Sequence, residues 1–306
     1  MNIFRSFEEA KFIRNPVVTT GSFDGVHIGH KAILDRLKML SEKHDGESVL
    51  ITFDPHPRMV LYPENTGKDF KLINTQEEKL ELLEKAGLNN VIIVEFTREF
   101  SKVTSEQFVR EYLHDMLHAK VVVVGFNHHF GFNKEGDYKK LWAWQGKYNF
   151  EAEEIPEQDI QHETVSSTKI RKAISEGYIQ RANAYLDHYY IITGRPEKYI
   201  TDESLNLPLF FRIPITDRFK LLPSPGIYAV STEEGQIYSK GMAVIFKRSE
   251  DNTEVLLNIF DDRNFPVDHK LTISFHKKIS GAVNLFDSRA ILKINSAKEE
   301  ISDLIY

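Results

Sequence analysis

The stretch Val17–His30, VVTTGSFDGVHIGH, constrains the fold more than any other part of the chain. Its first four residues are apolar or β-branched and predict a buried strand ending at Thr20. Gly21, Gly25 and Gly29 keep the backbone lean through the turn that follows. Ile33, Leu34, Leu37 and Leu40 then recur at helical spacing, so Lys31–His44 reads as an amphipathic helix. A strand, a glycine-punctuated turn and a helix N-terminus make an anion site, because free N–H groups and the helix dipole converge there. His27 and His30 stand where loop becomes helix and add donors that can carry charge. Their spacing also suits a shared metal ion, but no third ligand follows at fixed spacing and the chain has no cysteine, so no metal ligand is assigned. The context favours imidazoles that hydrogen-bond a phosphate under attack and neutralise its growing charge.

The rest of the first half repeats the strand–helix alternation. Ser48–Phe53 is a second apolar strand, and Asp54-Pro55-His56-Pro57 after it predicts an extended loop closed to helix. Asn74–Ala86 reads as a helix with Asn74 as N-cap and Glu77 at the capping-box position. Val91–Glu95 is a third strand, Thr104–His118 a helix, and Lys120–Val124 a fourth strand. A loop rich in imidazole and aromatic side chains follows, with Asn127, His128, His129, Phe130 and Phe132. Tyr138–Tyr148 and the segment from Val165 to Gly177 read as helices around a candidate strand at Phe150–Ile155. Such alternation argues for a Rossmann-like parallel sheet covered on both faces, with ligands bound beyond the carboxyl ends of its strands. The three distinctive loops follow strands one, two and four, which brings them together.

After Asp187 the texture changes to short β-rich runs separated by turn residues, with a terminal helix over 283–306. That points to a small antiparallel barrel or sandwich. The expected division is therefore 1–187 for the α/β domain and 188–306 for the β domain. A net charge of −6 gives no global field for nucleic acid or an acidic membrane. No run is long enough to span a bilayer and nothing has the form of a signal peptide, so a cytoplasmic protein is expected.

Ser166-Ser167-Thr168 followed by Lys169 and Arg171 reads either as helix capping or as a cradle for a polyphosphate tail. The Phe53–Pro57 loop is either a stiff turn or the wall of a flat ligand, and Asn127 directly after a strand is placed to meet a phosphate or a metal-bound water.

Together these residues resemble a known family. GSFDGVHIGH is similar to the signature of the HxGH nucleotidyltransferases. With FDPHP, GFNHHFG followed by EGD, and VSSTKIR, all in order over residues 16–177, the chain resembles the prokaryotic bifunctional riboflavin kinase/FAD synthetases. The resemblance implies transfer of AMP from ATP to FMN, giving FAD and pyrophosphate, with Mg2+. It implies that His27 and His30 are catalytic, stabilising the α-phosphate and the leaving pyrophosphate. Gly21, Phe23, Asp24 and Gly29 would line the ATP site, and Ser167, Thr168 and Arg171 would hold the β- and γ-phosphates. Phe53, Pro55, His56, Pro57 and Asn127 would lie on the FMN side.

The second domain matches less well. The family's barrel carries a glycine-rich flap and a Pro-Thr-Ala-Asn motif that binds magnesium and ATP phosphates. Residues 192–213 here read ITGRPEKYITDESLNLPLFFRI and hold no such motif. LPSPGIYAV at 222–230 fits a barrel strand, Glu254 stands where the family places its catalytic base, and Asn264-Phe265-Pro266-Val267 replaces an expected tyrosine-glycine turn. A base without a phosphate cradle positions nothing, so the expectation is an FAD synthetase whose kinase domain is degenerate. The alternatives are a complete bifunctional enzyme, a transferase for another phosphorylated acceptor, and a non-catalytic flavin or nucleotide sensor.

Overall fold

The computed structural model describes residues 1–66, 70–126, 128–157, 159–160, 163–199, 207–234, 237–249, 252–260, 269–285, 287 and 289–304. Contacts divide the chain into two compact units, Met1–Phe70 with Lys79–Ser166, and Lys71–Glu78 with Ser167–Tyr306.

The first unit is built on a parallel sheet of β1 (Asn2–Phe4), β2 (Val17–Thr20), β3 (Ser48–Asp54), β4 (Asn90–Glu95), β5 (Val121–Gly125) and β6 (Glu151–Ile155). Their order is β1-β4-β3-β2-β5-β6, so the chain reverses direction across the sheet at β2. Strand side chains alternate between two buried layers. Val49, Ile51, Val122 and Val124 join Phe108, Leu113 and Leu141 on one face. Leu50, Val121 and Val123 join Leu34, Leu37 and Leu83 on the other. Burial on both faces explains why these strands read as continuous apolar runs. The parallel, doubly covered sheet expected from the alternation is present. The edge strand β1 and the short helix α1 (Phe7–Ala10), in a segment of mixed composition, carry no such signal.

Several helices depart in detail from their sequence reading. Helix α2 spans Ile28–Lys43 and so begins inside the histidine pair. Pro57 opens helix α3 (Pro57–Leu61), because proline is compatible with the first helical position; the prolines therefore do not keep this loop free of helix. After α4 (Pro63–Thr66) comes α5 (Gln76–Lys85). Its capping box lies one residue later than expected. Thr75 Oγ1 accepts from Glu78 N at 3.2 Å, and Glu78 Oε2 accepts from Thr75 N at 2.9 Å. Helix α6 (Ser105–Gln107) is capped by Thr104, as expected, and continues as a π-helix over Phe108–Met116. Helix α7 (Tyr138–Tyr148) leads to β6.

A two-stranded ribbon of β7 (Asp159–Ile160) and β8 (Glu163–Thr164) closes the first unit. The second unit begins with α8 (Ser167–Glu176) and α9 (Ile179–Leu186). Its antiparallel sheet comprises β9 (Tyr190–Gly194), β10 (Glu197–Tyr199), β11 (Phe210–Arg212), β12 (Gly226–Glu234), β13 (Ile237–Ser249), β14 (Asn252–Ile259) and β15 (Leu271–Ser280). The order is β10-β11-β14-β13-β12-β15-β9. Its two edges, β9 and β10, are joined by Arg195 and Pro196 alone, so the sheet must curl round on itself like a barrel. Helix α10 (Ala290–Leu304) covers one side through Ala290, Ile294, Ala297 and Ile301. Asn183 of α9 donates to Phe275 O and accepts from Tyr190 N, both at 2.8 Å, which ties α9 to the barrel. Residues 167–187, expected with the sheet domain, therefore belong by contact to the second unit. Among the described residues, no helix is long and apolar enough to cross a membrane.

Candidate active site

The reversal at β2 opens a crevice at the carboxyl ends of β2, β3 and β5, where a doubly wound sheet binds ligands. A cavity of about 560 Å³ lies there, bounded by the turn after β2 and the loops after β3 and β5. Gly21, Phe23, His27, Gly29 and His30 line it, with Phe53, His56 and Pro57. Eight of the residues expected in the site thus share one cavity. Asp24, buried at 3% exposure, and Pro55 do not line it. Asn127 lies outside the described residues. Phe96, Phe100, Phe108 and His128 also line it. No motif marks the three phenylalanines in the sequence.

The turn after β2 is tightly wound. Phe23 and Val26 hold φ of 49° and 41°, and Gly25 lies between them at 94°. A positive φ at the β-branched Val26 is a costly conformation, of the kind that persists where a site needs it. It stacks three rings in series. The Phe23 and His30 centroids are 4.3 Å apart, and those of His30 and His27 are 3.7 Å apart. Gly29 suits the same stack, since a Cβ there would come to 3.3 Å of the His27 ring and push it by a few tenths of an ångström. His27 is the N-cap residue of α2, yet its side chain makes no capping hydrogen bond. Both imidazoles thus stand at the positive end of a 16-residue helix with no acidic residue in its first turn.

Burial, then the neighbouring His27, then Lys79 hold the His30 imidazole well below its ordinary range. Its Nδ1 is buried and has no hydrogen-bond partner among the described residues. A His30 imidazole held neutral in this way at a helix N-terminus is poised to gain charge when a phosphate arrives. Burial, with a smaller contribution from His129, likewise pushes His128 down to about 4. Phe53, Phe96 and Phe100 contact one another at steep angles, with centroids 5.4 to 5.9 Å apart, and form an apolar aromatic wall.

In the second unit, Ser167 opens α8, Thr168 is exposed, and Arg171 Nε donates to Lys71 O at 2.9 Å. Glu254 sits on β14 opposite Phe246 and is 7% exposed. Its Oε1 accepts from Arg248 Nη1 at 3.1 Å, while Oε2 is buried without a partner among the described residues. The segment 264–267, and residues 200–206 within the stretch 192–213, lie outside the described residues. Among the described residues, no three His, Asp or Glu side chains gather to hold a metal ion.

A crevice at the switch point of a parallel sheet, with a histidine pair at a helix N-terminus, defines a nucleotidyltransferase-like α/β unit. The model of the FAD synthetase family matches residues 9–169. The bifunctional riboflavin kinase/FMN adenylyltransferase of Listeria monocytogenes is 31% identical over 87% of this chain and 81% of its own. That of Bacillus subtilis is 27% identical, over 92% and 87%. The protein belongs to the FAD synthetase family. A crystal structure of a macrolide-efflux protein from Streptococcus pneumoniae shares the fold, with a TM-score of 0.85 at 22% identity over the whole of both chains.

Proposed function

We propose that the protein transfers AMP from ATP to FMN, releasing pyrophosphate and FAD. The observation that carries this reading is the His27–His30 stack at the N-terminus of α2, opening onto an aromatic-walled cavity. The FMN phosphate oxygen attacks the α-phosphorus in line, and the bond to the β-phosphate oxygen breaks. Such a step is mostly positioning and charge stabilisation. His27 and His30 donate to the α-phosphate and to the departing pyrophosphate. Magnesium, when present with ATP, neutralises part of the phosphate charge. The Phe53–Pro57 loop walls the flavin. The roles of Ser167, Thr168 and Arg171 toward the β- and γ-phosphates, and of Asn127 toward phosphate, rest on the motifs they form. Incubation with FMN, ATP and magnesium should yield FAD and pyrophosphate by chromatography. Tight nucleotide binding with neither product would favour a sensor.

We further propose that the barrel has lost riboflavin phosphorylation. The absence of a Pro-Thr-Ala-Asn motif from 192–213 supports this, as does the engagement of Glu254 by Arg248. The complete bifunctional enzyme is the second reading, favoured by the relatives' names and by the buried Oε2 of Glu254. Riboflavin, ATP and magnesium distinguish the two, and rapid FMN formation would overturn the first.

A further inference from the structure

Lys79 lies in the first unit and is 7% exposed. Its Nζ donates to Thr52 Oγ1 at 3.1 Å and to Ser22 O at 3.3 Å, and Thr52 Oγ1 itself donates to Ser22 O at 3.4 Å. Both oxygens that receive its hydrogen bonds are neutral. A buried ammonium so held carries a desolvation cost that neutral acceptors offset only in part. The charged and titratable groups that act on it come from three elements: Asp24 in the turn after β2, Asp54 at the end of β3, and His30 on α2. Ser22 precedes Phe23, whose ring begins the stack through His30 to His27.

We propose that Lys79 is a positioning residue of the adenylyl-transfer site, pinning the Ser22 carbonyl beneath the ring stack and standing as a fixed cation behind the histidine pair. This rests on the function proposed above. The negative charge that compensates the ammonium then comes partly from the bound phosphates. Lys79 strengthens the site most when that charge is greatest, in the transition state. Burial lowers the lysine to about 8, against the weaker opposing pull of Asp24 and Asp54. The cation is therefore present below that pH and lost above it.

The test uses the full chain and the variants Lys79→Met, Lys79→Gln and Lys79→Arg. Lys79→Met should lower kcat by about tenfold or more while the KM for ATP moves by less than about threefold. The wild-type kcat should fall as pH rises through about 8, a limb that disappears in Lys79→Met and moves to higher pH in Lys79→Arg. By NMR in the ligand-free protein, the His30 imidazole should titrate at a higher pH in Lys79→Met, because a repelling cation has gone. If the methionine variant fails to fold, Lys79→Gln keeps a donor for Ser22 O without the charge and should show the same two shifts. A folded variant with an unmoved pH profile and an unmoved His30 titration would overturn the assignment. If the wild type makes no FAD, the function proposed above fails, while the His30 titration still decides the role of Lys79.

Discussion

Each unit buries a lysine, and the two are held in opposite ways. Lys220 in the second unit places its Nζ 2.5 Å from Glu78 Oε2 and donates to the carbonyls of Ile73 and Ile191, each at 2.7 Å. Both side chains of the pair are 1% exposed. Glu78 is itself saturated, since Oε1 accepts from Thr193 N at 2.9 Å. The pair joins three stretches of chain, near residues 73–78, 191–193 and 220, in a closed polar network. Among the described residues, Lys79 in the first unit donates hydrogen bonds only to a hydroxyl and a carbonyl, with Asp24 and Asp54 acting on it electrostatically. A lysine with every bond satisfied internally organises a fold. One left with neutral partners behind an anion site can complement the charge of a ligand held there. Two successive residues of α5, Glu78 and Lys79, thus serve structure in one unit and a site in the other.

The largest expected effect breaks the structural half of this contrast. Lys220→Met strands a buried carboxylate and should lower stability by about 3–5 kcal/mol in denaturant unfolding. Combining it with Glu78→Gln should recover part of the loss, because the uncompensated charge is then gone. Recovery of nothing would mean that the two carbonyl contacts, and not the ion pair, carry the effect.

Next in size is the catalytic half. His27→Ala should reduce kcat for FAD formation by ~10²–10³-fold with little change in ATP affinity, as for removal of one oxyanion donor. A loss seen only in KM would reduce the residue to a binding group. Unfolding midpoints should hardly move, in contrast with Lys220→Met.

The third prediction concerns acid. His128 titrates near 4 in the folded protein against an ordinary value of 6.5. The unfolded chain therefore binds more protons across that window, and stability falls as pH drops from 6.5 toward 4. The loss from this group is on the order of 3 kcal/mol at most. His128→Gln should flatten the stability profile between pH 6.5 and 4.5, measured by urea midpoints. An unchanged slope would assign the acid sensitivity to other groups, His30 first among them.

Much of the α/β unit is legible in the sequence because its signals are local. Val121–Val124 alternate between two apolar layers and so read as one apolar run, and the turn after β2 announces itself through glycines and histidines. What stays hidden arises from distance in the chain. Lys79 reads as a solvated residue on a charged helix, and only the fold brings it to Thr52 and Ser22. The aromatic wall is assembled from Phe53 on β3 and from Phe96 and Phe100 just after β4, far apart in the chain. Residues 71–78 carry no mark of their place with the barrel, since the bond from Leu72 N to Phe219 O spans nearly half of the chain. The capping box lies one residue from its expected place because Asn74 and Thr75 are both good caps and each has a glutamate three positions on, so spacing alone does not choose between them.

The smallest effect tests whether the network around Lys220 leans on that box. Glu78 Oε2 accepts from both Thr75 N and Lys220 Nζ, so the cap and the ion pair share one oxygen. Thr75→Ala removes a single helix-capping bond, ordinarily worth about 1 kcal/mol. Thr104 provides the matched control in the first unit, accepting from Gln107 N at 3.1 Å with no buried charge attached. If the box orients the carboxylate for Lys220, Thr75→Ala should cost more than Thr104→Ala in the same unfolding assay, by a few tenths of a kcal/mol or more. Equal losses would show that Lys220, with its two carbonyls, holds Glu78 unaided, and that the capping hydroxyl serves the helix alone. Neither change should alter kcat for FAD formation, because neither hydroxyl touches the ring stack of Phe23, His30 and His27.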